Sequence, residues 1–124
     1  MLSSAQLVAF VPAKDQRRAR SFYEGKLGLT FVSEDPFALV LDANGVRIRV
    51  ANVPDFKPAQ FTILGWQVSD IEKVVTELQT KGIVFEKYGF KDQDERGIWS
   101  APGGSKVAWF KDPDGNVLSI SAHR

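Results

Sequence analysis

The feature that most constrains the fold is an internal repeat. Asp15 in the first half matches Asp70 in the second, and Gly28–Phe31 (Gly-Leu-Thr-Phe) matches Gly82–Phe85 (Gly-Ile-Val-Phe), so the offset is 54 to 55 residues. Each half reads as a strand, a helix and three further strands. The sequence therefore predicts an α+β fold made of two tandem βαβββ modules in one domain spanning residues 1–124, with module one at about 6–54 and module two at about 60–122.

In the first half, apolar runs bounded by turn residues predict four strands. Asp15 is a helix cap, the apolar residues after it recur at helical spacing, and Gly28 ends the helix. The Asn-Gly pair at residues 44–45 predicts a tight hairpin between the last two strands. The predicted strands are Gln6–Pro12, Leu29–Val32, Phe37–Leu41 and Val46–Val53.

The second half repeats this order after a linker with two prolines. Ser69 with Glu72 three residues later forms the pattern of a capping box, which predicts the start of the second helix. The chain ends in a hairpin whose turn, Asp-Pro-Asp-Gly-Asn at residues 112–116, combines proline and glycine at turn positions. The predicted strands are Phe61–Val68, Ile83–Glu86, Gly97–Ser100 and the two arms of the hairpin within Val107–Ser121.

Composition excludes several classes of partner and site. The chain has 124 residues, a net charge of +1 with both signs interspersed, and no cysteine. This charge gives no basis for nucleic-acid or membrane binding, and the lack of cysteine excludes disulfides and thiolate chemistry. No apolar run reaches the roughly 18 residues of a membrane span, and no basic-then-apolar signal pattern is present. We therefore expect a cytoplasmic protein.

Three features together resemble one known family. They are the pattern Asp15-x3-Ala19-x2-Phe22-Tyr23-x3-Leu27-Gly28-Leu29, the repeated βαβββ order, and the run Lys111-Asp112-Pro113-Asp114-Gly115-Asn116. The chain resembles the vicinal oxygen chelate superfamily, which includes glyoxalase I, bleomycin-resistance proteins, fosfomycin-resistance enzymes and extradiol dioxygenases. The resemblance implies two sheets that curve around a cleft.

The resemblance also implies positions for a divalent metal, usually held in the family by four inward-facing His, Glu or Gln side chains. These positions fall on Val8 (or Ala9, with a register slip of one), Leu64, about Arg47, and Ser119. None of these is a usual ligand of Zn, Fe or Mn. The one histidine, His123, is next to the C-terminus and is expected to be exposed. We therefore expect no metal, no cofactor and no tightly bound transition-metal ion.

Strand alternation predicts which side chains face the cleft instead. Val46, Ile48 and Val50 suit a helix-covered face, which turns Arg47 and Arg49 toward the cleft; similar reasoning turns Trp109 and Ser119 there. Arginine and indole side chains together suit an aromatic or anionic ligand. The alternative is that these residues are ordinary packing and solvated charge. The resemblance adds Trp99, at a position where fosfomycin-resistance-like relatives place a ligand-contacting group. The predicted ligand-binding residues are Phe10, Arg47, Arg49, Trp66, Trp99, Trp109 and Ser119.

A polar segment, Lys87–Arg96, precedes Trp99 and has two interpretations. It is either a mobile lid over the cleft or a solvated loop. Asp94 or Glu95 within it could supply a counter-charge to Arg47 and Arg49, which would remove the need for an anionic ligand.

Three functions stay open from the sequence. The first is a metal-independent binding protein for a small aromatic or anionic compound. The second is a lyase or isomerase like glyoxalase I, but no catalytic residue can be named, because Ser119 and Ser121 lack a base, and Glu34 and Glu86 fall near strand ends. The third is an interaction module without a ligand. A homodimer is expected, because open sheet edges need cover.

Overall fold

The computed structural model describes residues 1–123, which fall into two compact units, Met1–Lys57 and a second that begins at Pro58. After a short 3-10 turn at Leu2–Ser4, module one has four strands and one helix. Their bounds are β1 Val8–Ala13, α1 Gln16–Arg20, β2 Thr30–Glu34, β3 Ala38–Ala43 and β4 Val46–Asn52.

The helix of module one begins where the sequence predicts but changes type before its end. Asp15 caps it, with a carboxylate oxygen that accepts the backbone N–H of Arg18 at 3.2 Å. From Ser21 to Lys26 the backbone is π-helical, and the N–H of Leu27 donates to the carbonyl of Phe22, five residues back, at 3.0 Å. Phe22 and Tyr23 in this wider turn are buried.

The sheet of module one has the strand order β1-β4-β3-β2, with β1 parallel to β4 and the other pairs antiparallel. Helix α1 contacts β3 and β4. One face of the sheet is buried with the helix, and its residues alternate along each strand. They include Val11, Leu39, Leu41, Ile48 and Val50.

Module two repeats this topology strand for strand. Its elements are β5 Thr62–Gln67, α2 Ile71–Thr80, β6 Trp99–Ser100, β7 Lys106–Lys111 and β8 Val117–Ala122. The sheet order is β5-β8-β7-β6, again with the first strand parallel to the last. The predicted fold class is confirmed: the chain is an α+β protein with two repeated βαβββ modules.

Two local predictions in module two are wrong. Asp70, not Ser69, caps α2, because its carboxylate accepts the N–H of Lys73 at 3.1 Å. The stretch Ile83–Glu86 is not a strand, although the Glu86 N–H donates to the carbonyl of Trp109 at 2.8 Å. The second strand of this module, the counterpart of β2, is the two-residue β6, which starts two residues later than the predicted strand Gly97–Ser100.

The turn of the last hairpin is tied together by one buried aspartate. A single oxygen of Asp112, Oδ1, accepts the backbone N–H groups of Asp114 and Asn116, each at 2.9 Å. Its second oxygen, Oδ2, accepts the side-chain amide of Asn116 at 2.9 Å. Gly115 has φ of 87°, a conformation that favours glycine.

None of the helices in residues 1–123 is both long and apolar enough to span a membrane.

Candidate functional site

The sheet of module two has one face covered by its helix and one open face. The register places Gly65, Ser119 and Trp109 side by side across three strands of the open face, and Trp99 beside Val107 on the same face. Lys111 and Val117 form the neighbouring pair toward the turn. Trp99, Trp109 and Ser119 thus lie on one surface, as strand alternation in the hairpin predicts for Trp109 and Ser119 and as the family resemblance implies for Trp99.

Trp66 lies on the opposite face, so its predicted place beside Trp99 and Trp109 is wrong. It pairs with Ile120, which in turn pairs with the buried Ala108. The error comes from Leu64, which pairs with the buried Leu118 and does not point to the open face. A register irregularity between Thr62 and Leu64 marks the extra residue, and a shift of one residue exchanges the faces of a strand.

Four aromatic side chains form a continuous cluster on the open face. The rings of Trp99 and Trp109 are 6.1 Å apart between centroids. Tyr88 packs edge-on against Trp109 at 5.5 Å, and Phe90 lies 5.8 Å from Trp109 and 5.9 Å from Trp99. These separations are those of favourable aromatic pairs. Tyr88 and Phe90 keep 44% and 46% of their surface exposed, so the cluster presents ring surface outward.

The loop that carries Tyr88 and Phe90 is held in shape by the side chain of Gln93. Its amide nitrogen donates to the carbonyls of Glu86 and Gly97, both at 2.9 Å, and its oxygen accepts the N–H of Tyr88 at 2.8 Å. Asp94 accepts the N–H groups of Arg96 and Ile98, each at 2.9 Å. The segment predicted as a lid or a solvated loop is therefore a hydrogen-bonded loop with two aromatic side chains on the open face.

Two adjoining concavities lie beside the cluster. One has a volume of about 400 Å³ and the other about 490 Å³, and ligand pockets commonly measure about 300–1,000 Å³. The first is lined by Gln60, Phe61, Thr62, Tyr88, Phe90, Trp109 and Val117. The second is lined by Pro58, Ala59, Gln60, Tyr88, Lys111, Gly115 and Val117.

Burial, aided by the charge of Glu86, raises the pKa of Tyr88, so its hydroxyl stays protonated at neutral pH.

Small residues occupy the centre of the open face next to Trp109. A Cβ atom at Gly65 would lie 3.0 Å from the hydroxyl oxygen of Ser119, which leaves no room for a side chain there without a shift. Ser119 is largely buried. Because Gly65 and Ser119 have no side chain or a small one, the indole of Trp109 projects above its neighbours on this face.

In module one, the open face of the sheet carries the predicted arginines and Phe10. Arg47 pairs with Val8 and Arg49 with Phe10, opposite the buried Ile48 and Val50. Phe10 is 65% exposed. The structure thus places these three side chains on one face of module one, and their role in ligand binding stays a prediction.

Acidic residues of module one provide negative charge near these arginines. The Arg47 Nε lies 3.7 Å from a carboxylate oxygen of Asp42. Two backbone hydrogen bonds, from Phe37 and Ala38, lower the pKa of Asp35, and the charge of Arg49 adds to this shift. The unmet positive charge that would favour an anionic ligand at this face is therefore partly neutralised.

The metal positions implied by the family do not offer a suitable donor set. In module one they fall on the pair Val8 and Arg47, and in module two on the pair Ser119 and Gly65, because Leu64 is on the covered face. A valine, an arginine and a glycine supply no side-chain ligand. No group of three or more His, Asp or Glu side chains in residues 1–123 is arranged to hold a metal ion. These residues do not fit the family's metal.

Each of the remaining titratable candidates contacts another polar side chain. His123 is exposed, and its ring nitrogens lie 3.3 Å and 3.2 Å from the hydroxyls of Ser105 and Ser121. Glu34 pairs with Arg20 at 3.1 Å, and Glu86 lies 3.7 Å from Lys111. Ser121 pairs with Val107 on the open face of module two, so the prediction that this serine lacks a neighbouring histidine is wrong.

Among the residues that line the two concavities, sequence reasoning named Trp109 as a ligand-binding residue and missed the others, which include Gln60, Phe61, Tyr88, Phe90 and Lys111. A usable sequence signal was present for three of these five. Tyr88 and Phe90 are two aromatic residues spaced by one within an otherwise polar, glycine-containing loop. Lys111 was visible from the same alternation that placed Trp109 on the open face.

Comparisons with known proteins agree on one family. Residues 5–120 match the model of the Glyoxalase/Bleomycin resistance protein/Dioxygenase superfamily. A glyoxalase family protein from Enterococcus faecalis has a TM-score of 0.76 at 21% identity, over 98% of this chain and 99% of that chain. A lactoylglutathione lyase from Agrobacterium tumefaciens has a TM-score of 0.74 at 18% identity, over 96% of this chain and 93% of that chain.

A member of the same superfamily from Sphaerobacter thermophilus is similar to the same degree, with a TM-score of 0.76, 21% identity, and coverage of 99% of this chain and 100% of that chain. No curated protein matches the chain by sequence. At these identities the solved structures establish the fold alone, so function has to be argued from the residues.

Proposed function

Because the chain belongs to the glyoxalase/bleomycin resistance protein/dioxygenase superfamily, we propose that it is a metal-independent binding protein for a small aromatic compound. The ligand lies against Trp99 and Trp109 on the open face of module two. The observation that carries the proposal is the cluster of Tyr88, Phe90, Trp99 and Trp109 beside two concavities of ligand size.

The make-up of this surface favours binding over packing. The aromatic rings stay half-exposed beside the small residues Gly65 and Ser119. They therefore offer stacking area to a planar molecule. The Gln93 hydrogen bonds hold Tyr88 in place before a ligand arrives, and such preorganisation reduces the entropy lost on binding.

A lyase or isomerase activity has less support. Glyoxalase-type chemistry needs a Lewis acid and a nearby base, and the donor positions in both modules are occupied by residues unsuited to a metal. The similarity to the lactoylglutathione lyase, at 18% identity, establishes a shared fold and not a shared activity.

The predicted role of Phe10, Arg47 and Arg49 is a separate part of the proposal. An arginine flanked by an exposed phenylalanine can stack on a ligand and bind an anionic group. The carboxylates of Asp42 and Asp35 compete for those charges, so this face is the weaker of the two candidates.

The proposal is tested with 2-naphthoate as a probe, by isothermal titration calorimetry and tryptophan fluorescence. We expect saturable binding with a stoichiometry of one per chain and quenching of tryptophan emission. The affinity should be the same after treatment with a chelator and after addition of Zn²⁺ or Mn²⁺. Binding that appears only with a metal would overturn metal independence, and absence of saturable binding of both 2-naphthoate and its neutral analogue 2-naphthylmethanol would overturn the proposed function.

We also propose that the protein is a homodimer. Strands β1 and β5 are each at the edge of their sheet, and exposed edges promote association unless they are covered. Phe10 on β1 and Phe61 before β5 are 65% and 69% exposed. Sedimentation equilibrium at micromolar concentration should give twice the mass of the 13.8 kDa chain. A monomer under these conditions would contradict the proposal.

A further inference from the structure

The two concavities of module two form one groove with chemically different ends. They share Gln60, Tyr88 and Val117 along their common border. One end is lined by the rings of Phe61, Phe90 and Trp109, and the other end contains Lys111. The groove therefore has an apolar end and a charged end.

Lys111 alone carries a formal charge among the groove-lining residues within the described chain, 1–123. It follows Trp109 by two positions on β7, so strand alternation puts both on the open face. A positive charge at one end repels cationic ligands and attracts anions.

Glu86, the acidic side chain that pairs with Lys111, holds it loosely. The distance from Lys111 Nζ to Glu86 Oε1 is 3.7 Å, and about half of the lysine side chain is exposed, at 51%. Ion pairs of this exposure contribute little, and side-chain rotation breaks them at small cost. The ammonium group has three donors, so it can bind a second anion without desolvation of a buried charge.

We propose that the ligand is a planar aromatic compound with one anionic group, and that Lys111 binds that group while the rings of Trp109 and Phe90 contact its aromatic body. This inference rests on the proposed function and specifies its ligand class. It assigns Lys111 as the residue that selects an anion over a neutral molecule of the same shape. Glu86 competes with the ligand for Lys111.

The test compares two probes that share a ring system and differ in charge, 2-naphthoate and 2-naphthylmethanol. Lys111→Gln should weaken 2-naphthoate binding about 10-fold, the size of one partly exposed charge-assisted hydrogen bond. Binding of 2-naphthylmethanol should stay within about 2-fold, because aromatic contacts carry it. Glu86→Gln should strengthen 2-naphthoate binding about 3-fold, because the competing carboxylate is removed.

Lys91→Gln is the matched control, because Lys91 is an exposed lysine of the neighbouring loop that lines neither concavity. It should leave the affinities for both probes unchanged. Equal loss of both probes in Lys111→Gln, or an unchanged affinity for 2-naphthoate, would overturn the assignment of Lys111 while the proposed function stands. If neither probe binds the unaltered protein, the proposed function itself fails, and this inference fails with it.

Discussion

Replacing Asp112 with alanine should lower the free energy of unfolding by about 3 kcal/mol, because the buried carboxylate accepts three hydrogen bonds at the last turn. Its acceptor oxygens serve the N–H groups of Asp114 and Asn116 and the side-chain amide of Asn116. Asn116 is only 1% exposed, so the amide cannot turn to water when the carboxylate is removed. Urea or thermal denaturation followed by circular dichroism measures the change.

Two further variants separate the hydrogen bonds from the general effect of losing an aspartate. Asp112→Asn keeps one carbonyl acceptor but places its amide near that of Asn116, so we expect a loss of about half that of alanine, ~1.5 kcal/mol. Asp92→Ala removes an exposed aspartate of the loop and should change stability by less than about 0.5 kcal/mol. A loss in Asp112→Ala no larger than that in Asp92→Ala would contradict this account of the turn.

The success of the hairpin prediction has a local cause. The sequence Asp-Pro-Asp-Gly-Asn between two apolar runs specifies a turn through residues close together in the chain, and such short-range chemistry is readable from sequence. The same holds for Asp15, which caps the first helix, and for Asn44 and Gly45, whose φ values of 50° and 90° suit the tight turn they form.

The repeat made the topology predictable as well. Once two halves with the same order of elements are recognised, each strand of the second module has a counterpart in the first. The observed orders, β1-β4-β3-β2 and β5-β8-β7-β6, are identical under this correspondence. The failure at Ile83–Glu86 arose because the repeat was followed too closely, whereas an additional loop at residues 87–98 delays the pairing strand until Trp99.

The face of Trp66 could not be obtained from alternation alone. Both alternating sets of residues along β5 contain apolar side chains, so alternation does not identify the covered face. Gly65 has no side chain that would indicate a face. The irregularity between Thr62 and Leu64 inserts one residue, which reverses the faces of everything after it. The position of Trp109, by contrast, is fixed by the alternation of Ala108 and Phe110, both of which are buried.

The aromatic cluster depends on contacts between residues that are far apart in the sequence of module two. Tyr88 and Phe90 contact Trp109 because the Glu86 N–H donates to the carbonyl of Trp109. The side-chain amide of Gln93 in turn donates to the carbonyl of Glu86 and holds the loop in shape. A glutamine in a polar loop carries no sequence signal for this role. The placement of the strand residues Trp99, Trp109 and Ser119 on one face was therefore predictable, whereas the contribution of the loop residues was not.

Replacing Trp109 with leucine should weaken binding of 2-naphthoate about 30-fold, which corresponds to about 2 kcal/mol. Trp109 is the ring that Tyr88, Phe90 and Trp99 all contact, and it lines the apolar end of the groove. Leucine keeps an apolar side chain on the strand but removes the flat surface on which a planar ligand stacks. Calorimetric titration of the folded variant, with its fold checked by circular dichroism, measures the loss.

The matched control is Trp66→Leu, the same substitution two strands away on the covered face. If the faces are as the register gives them, Trp66→Leu changes stability and leaves the affinity for 2-naphthoate within about 2-fold, because no ligand contact is lost. Quenching of tryptophan emission by the probe should persist in Trp66→Leu and fall sharply in Trp109→Leu. Equal loss of affinity in both variants would contradict a binding site confined to the open face of module two. An unchanged affinity in Trp109→Leu would remove the aromatic cluster from the proposed function.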